Sequence, residues 1–134
     1  MMSHFNLDIV TPTQDLDEIE VDYLRCPGID GSFGIMANHQ DGVFSLDIGE
    51  IMIQSKSDTK FYSISGGFAE INNNKVCLLV ETIELSSDID ISRAESAFQR
   101  ANERKNNSNE EDFDEVRLKT ALSRALNRLQ VAKR

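Results

Sequence analysis

Ile89-Asp90-Ile91-Ser92-Arg93-Ala94 marks the point where the chain changes its period. Before it, apolar residues alternate with polar ones. After it they return every three or four positions, so a strand-built region gives way to helix. The same six residues carry chemistry. Asp90 stands at the helix start and Arg93 one turn on, placing a carboxylate acceptor and a planar fork of donors on one flank. That geometry suits a small anionic ligand bearing hydroxyls or an exocyclic amine. The competing reading is an exposed ion pair at spacing three, worth under about 1 kcal/mol.

Upstream, Phe5, Leu7 and Ile9 alternate with Asn6 and Asp8 until Pro12 breaks the run. Ile19, Val21 and Tyr23 alternate with Glu20, Asp22 and Leu24 before Pro27-Gly28. Further alternating runs cover 43–48, 51–53, 61–64 and 76–84, each bounded by Gly, Asn, Asp or Ser. Asn72-Asn73-Asn74 is the plainest hairpin turn, because Asn tolerates positive φ. Short strands at this spacing predict an antiparallel sandwich or barrel over residues 1–86.

Downstream, Ile91, Ala94, Phe98 and Ala101 share one helical face, with Asp90, Arg93, Ala97 and Arg100 on the adjacent one. Ser87 or Asp88 is the predicted cap. A polar, non-periodic stretch over 106–112 interrupts and has the composition of a disordered loop. Asp112 and Glu115 then make a capping-box-like start for a second helix, with Leu118, Leu122, Ala125 and Leu129 as its apolar stripe. Arg117, Ala121, Arg124 and Arg128 form a second stripe beside it. Two helices joined by a short loop predict an antiparallel hairpin over 87–134, so the fold class is α+β. With both arginine-bearing flanks on one side, Arg93, Arg100, Arg124 and Arg128 converge, and a polyphosphate is their natural counter-charge. With the flanks apart, the same arginines point separately into water or pair with Glu95, Glu103 and the acidic first segment.

Charge divides the chain at the same place. The net charge of −9 combines −10 through residue 86 with +1 from residue 87 onward, and no acidic residue occurs from Val116 to Arg134. An acidic body argues against nucleic acid as a partner, and a basic tail argues for an anionic ligand or an acidic docking surface. The longest apolar run, Val76–Val80, is far below the roughly 20 residues that cross a bilayer, so a soluble, cytosolic chain is expected. Cys26 and Cys77 have no metal spacing; reduced packing residues are expected, with a disulfide as the alternative. His39 reads as structural and His4 as solvated.

Several motifs together resemble one family, the epsilon subunit of the bacterial F-type ATP synthase. Asp8-Ile9-Val10-Thr11-Pro12 is similar to its opening strand and turn, and Pro27-Gly28-Ile29-Asp30-Gly31-Ser32-Phe33-Gly34-Ile35 to its glycine-rich turn. Gly66-Gly67-Phe68-Ala69-Glu70-Ile71 with Asn74-Lys75-Val76 is similar to its second glycine signature and hairpin. Ala37-Asn38-His39, where the family usually shows a proline before its histidine, and Leu16-Asp17-Glu18, which lacks its usual glycine, depart from the pattern.

The resemblance implies an N-terminal β-sandwich, 1–86, that grips the gamma subunit of the central stalk and sits on the c-ring. It implies a C-terminal hairpin, 87–134, that lies folded or extends into the alpha/beta catalytic hexamer and blocks ATP hydrolysis. It further implies a peripheral location on the cytoplasmic side of the bacterial cell membrane. The signature of ATP-binding members, Ile/Leu-Asp-x-x-Arg-Ala, is filled by Ile89, Asp90, Arg93 and Ala94, with Glu84, Arg100, Arg124 and Arg128 as further ligands. Ile89 and Ala94 would cover the adenine, Glu84 and Asp90 accept hydrogen bonds, and the arginines neutralise phosphates. ATP is thus the expected regulatory ligand, with magnesium left open and no other cofactor. No phosphate loop, nucleophile elbow, metal cluster or Cys–His pairing occurs in the sequence, so an enzyme in its own right is not expected. The alternatives are a stalk adaptor without nucleotide binding and an unrelated ATP sensor.

Overall fold

The computed structural model describes residues 3–106 and 115–134. Eight strands precede two helices: β1 Phe5–Val10, β2 Asp15–Val21, β3 Tyr23–Gly28, β4 Gly31–Ile35, β5 Gly42–Ser55, β6 Asp58–Asn72, β7 Lys75–Val80 and β8 Ile83–Leu85. A 3-10 turn over Ser86–Asp88 leads to α1, Ile91–Asn106, and then α2 is Glu115–Ala132. The strands run β2-β1-β7-β6-β5-β3-β4 by hydrogen bonding, and β8 adds to β6 beside that path.

The two long strands organise the sandwich. β5 and β6 form one antiparallel ladder from Gly42↔Ile71 to Ser55↔Asp58. β7 takes the Gly67–Asn72 half of β6, and β8 takes the Tyr62–Ile64 part. One strand therefore serves both layers, and the change of neighbour falls at Gly66-Gly67, where φ is +106° and +148°. A Cβ at Gly67 would collide with the Leu79 carbonyl oxygen of β7, so the close approach demands glycine. Leu7 and Ile9 of β1, Leu78 of β7, Ile64 and Ile71 of β6, Ile51 of β5, Leu24 of β3 and Ile35 of β4 point inward into one apolar core. Their period of two is what the sequence shows.

The strands depart from the sequence expectation at several points, among them the run 61–64, which is part of β6. The runs 43–48 and 51–53 are one strand, because Gly49 does not interrupt its pairing with Ile64. The run 76–84 breaks at Glu81-Thr82 into β7 and β8. The Ile19–Leu24 alternation breaks at Asp22, and on β2 only Val21 is buried; Ile19 stays 40% exposed because β2 is an edge strand. The sandwich is antiparallel apart from β1, which runs parallel to β7. At Asn73-Asn74 both residues adopt positive φ, 51° and 61°, the two-residue turn that the asparagines predict.

α1 packs on α2, and α2 packs on β5 and β6. Ala94 and Ala101 of α1 are buried, as are Leu118 and Ala125 of α2, so small side chains let the helix axes approach closely. Ile91 is 50% exposed, and Ile89, just before the helix, is the buried isoleucine instead. Asp112 and most of the stretch expected to be disordered lie outside the described residues.

Candidate anion site on the helical hairpin

Asp90 is the N-cap of α1. Its Oδ1 accepts the Arg93 backbone N–H at 3.1 Å, and its carbonyl accepts the first helical bond from Ala94 N–H at 3.0 Å. Ser87 and Asp88, the caps expected from sequence, belong to the 3-10 turn, which an extended Ile89 (φ −72°, ψ 125°) separates from α1. One oxygen of Asp90 is thereby used by the helix itself. Ile89 and Ala94 lie buried beside this start, whereas the Arg93 and Arg100 side chains are exposed along α1.

On α2 a stripe at helical spacing faces the sandwich. Arg128 donates from Nε to Glu84 Oε1 at 2.7 Å and from Nη2 to Oε2 at 3.1 Å, a bidentate pair between helix and β8. Asn127 Nδ2 donates to the Gly49 carbonyl at 2.9 Å and to Ser63 Oγ at 3.0 Å. Arg134, just past the helix, forks onto Glu50 with both bonds at 2.9 Å and lies over the Phe61 ring at 4.6 Å. Sequence reading missed Asn127, Val131 and Arg134. Their spacing of four and three in register with Arg124 was the available signal.

Arg124 begins this stripe. It overhangs a groove of about 650 Å³ whose walls include Val10, Pro12, Leu46, Gly66, Val80 and Glu81. Of the predicted site residues, the structure joins Glu84 to Arg128, and Asp90 to the Arg93 backbone. Among the described residues no carboxylate pairs with the guanidinium of Arg93, Arg100 or Arg124. Three free cations and one held by Glu84 can neutralise an anion that reaches the hairpin.

Other candidates fall away. His4 is not merely solvated: it is half-buried and pairs with Asp22. His39 bonds the Gln40 carbonyl at 2.8 Å and sets its ring edge against Phe44. Both cysteines are free thiols, and burial pushes the Cys26 thiol up to about 12. Among the described residues no cluster of metal-ligating side chains occurs, and no helix is long and apolar enough to cross a membrane.

The fold class is thus a β-sandwich followed by a two-helix hairpin with arginines exposed along it, and comparison with known proteins narrows it further. Residues 4–86 match the family model for the ATP synthase delta/epsilon chain beta-sandwich domain, and residues 87–133 match that for its long alpha-helix domain. The ATP synthase epsilon chain of Nitratidesulfovibrio vulgaris (strain DP4) is 39% identical over 131 residues, covering 98% of this chain and 97% of that one. That of Halalkalibacterium halodurans is 36% identical over 133 residues, covering 99% and 100%. A chain in the cryo-EM structure of the Euglena gracilis mitochondrial ATP synthase, OSCP/F1/c-ring, superposes with a TM-score of 0.82 at 21% identity, covering 98% of this chain and 82% of that one. A Tetrahymena thermophila central stalk/c-ring structure gives 0.64 at 14% identity, covering 96% and 92%. The chain belongs to the ATP synthase epsilon chain family.

Proposed function

We propose that this chain is a non-catalytic central-stalk subunit of an F-type ATP synthase, and that ATP bound by its hairpin regulates it. The sandwich, residues 1–86, is the docking body. Val43, Phe68 and Leu79 are 66%, 50% and 41% exposed on neighbouring strands, with Phe68 directly opposite Leu79. Exposed apolar side chains this near to one another, with the exposed Glu70 opposite Val43, fit a partner subunit. The solved neighbours come from ATP synthase assemblies of F1 with the c-ring and of the central stalk with the c-ring, which supports the c-ring and a central-stalk partner, for which the gamma subunit is our reading. The complex would hold the chain at the cytoplasmic side of the membrane without insertion.

The observation that carries the nucleotide reading is that the guanidiniums of Arg93, Arg100 and Arg124 have no carboxylate partner among the described residues, with Arg128 presented by Glu84. ATP would take its phosphates there and tie α1 to α2. A ligand that binds only the folded hairpin stabilises it by about 2.7 kcal/mol at a hundredfold excess over Kd. When ATP falls, the basic α2 would extend toward acidic surfaces of the alpha/beta hexamer and hold back hydrolysis.

Calorimetric titration of the purified chain with ATP tests this, alongside Arg93→Ala and Arg124→Ala. Saturable binding lost in both variants is the expected result. Absence of binding to the wild type leaves the adaptor reading, and release of phosphate would reveal an enzyme.

A further inference from the structure

Among the described residues, three side chains at the α2 end make polar contacts with the sandwich, and they differ in what remains when they break. Glu84 has Arg128 as its one ion-pair partner among the described residues. Asn127 leaves behind a backbone carbonyl and the Ser63 hydroxyl. Glu50 is served twice: Arg134 forks onto both of its oxygens, and Arg25 Nη2 of β3 donates to Oε1 at 3.0 Å. In the closed form, with Arg134 seated on it, the Glu50 side chain is 18% exposed, and release of Arg134 from an otherwise unpaired Glu50 would leave a carboxylate without a counter-charge. Arg25 prevents that, because it reaches Glu50 from within the sandwich.

The receptor is built on three adjacent strands. Arg25 pairs across from Met52, two residues from Glu50 on β5, while Glu50 lies opposite Ser63, two residues from Phe61 on β6. With a period of two, all three side chains stand on one face. A guanidinium arriving there meets a carboxylate fork and an aromatic ring together.

We propose that Arg25, Glu50 and Phe61 form a reusable latch for Arg134, one that stays charge-compensated when α2 detaches and so sets how readily the hairpin opens. The proposal rests on the reading that the hairpin moves, and is independent of whether it binds nucleotide. Arg134 adds attraction that exists only in the closed form. Arg25 weakens that attraction by sharing Glu50, so removing it leaves Arg134 the sole partner of the carboxylate and favours closure. The two arginines thus have opposite signs, which general damage to the fold would not produce.

The test is fluorescence transfer between labels at Ser123→Cys on the outer face of α2 and Asp30→Cys on the sandwich, in the full-length chain carrying Cys77→Ser, without nucleotide. Arg134→Gln is expected to raise the ratio of open to closed hairpin about three- to tenfold. Arg25→Gln is expected to lower it about twofold, and Lys133→Gln, with the same loss of charge next door, to change it less than twofold. Raising the salt should narrow the difference between Arg134→Gln and the wild type. An unchanged ratio in Arg134→Gln, a hairpin that stays closed in every variant, or an Arg25→Gln that opens as far as Arg134→Gln would each overturn the proposal. Failure of the wild type to bind ATP in calorimetry, with these ratios as expected, would remove the nucleotide reading and leave the latch.

Discussion

The sandwich and the hairpin are held by different forces. The sandwich core joins sixteen buried side chains from seven strands, mostly Ile, Leu and Val. The helices bury Ala94, Ala101, Leu118, Ala125 and Val131, three of them alanines that remove little apolar area from water. Beside the buried Val131, the side-chain contacts that fasten α2 to the sandwich among the described residues are hydrogen bonds and ion pairs at Asn127, Arg128 and Arg134. Partly buried contacts such as those of Asn127 and Arg128 are each worth about 1 kcal/mol net, since water replaces them when they break, and the exposed Arg134 is screened further. A rigid platform therefore carries an arm that comes away at small cost, and the two parts respond to different perturbations.

The largest effect is expected in the platform. Leu78→Ala opens a cavity at a fully buried position of β7 and should lower stability by about 2–5 kcal/mol, read as a shift of the urea midpoint. Hydrogen exchange of the α1 amides should change no more than this global loss requires. Next comes the arm's own seam. Ala94→Leu forces a large side chain into a site with no exposure and should cost about 1–3 kcal/mol, confined to faster exchange in α1 and α2. Equal loss of protection in β5 and β6 would show the two parts to be one cooperative unit.

A pH titration separates the parts without mutation. The Cys26 thiol, raised from 9.0 to about 12 by burial, stays protonated in the folded sandwich while the unfolded chain loses its proton. Stability from this group is thus complete below about pH 9 and lost as the pH rises toward 12, at about 1.4 kcal/mol per unit. Cys26→Ala should flatten that slope in the denaturant midpoint. The smallest effect is the Glu84–Arg128 pair, both partners about one-third exposed or less. A double-mutant cycle with Glu84→Gln and Arg128→Gln should give a coupling of about 0.5–1 kcal/mol that shrinks with salt.

The strands and helices were legible because burial leaves a period, two in Leu7 and Ile9, near four in Leu118 and Leu122. What the period did not carry was the point where it stops. Asp22 and Thr82 end strands without glycine or proline, and the β5–β6 turn places Lys56 at φ 58° with neither Gly nor Asn to announce it. In the site, the helix start at Asp90 was legible, but its cap role was not assigned, because Ser87 and Asp88 carry equally good capping side chains. Glu84 and Arg128 were both singled out, though their mutual pairing depends on a turn between β8 and α1 that no local pattern encodes. Asn127 and Arg134 were passed over because one is a common surface residue and the other stands past the helix. Each finds its partner across more than sixty residues of chain.

Gly67 has a genetic consequence. Every missense change at its codon adds at least one carbon, and the first carbon meets the Leu79 carbonyl where the ladder passes from one layer to the other. Mild alleles are therefore closed to that position, and a screen for variants should recover it intact or not at all.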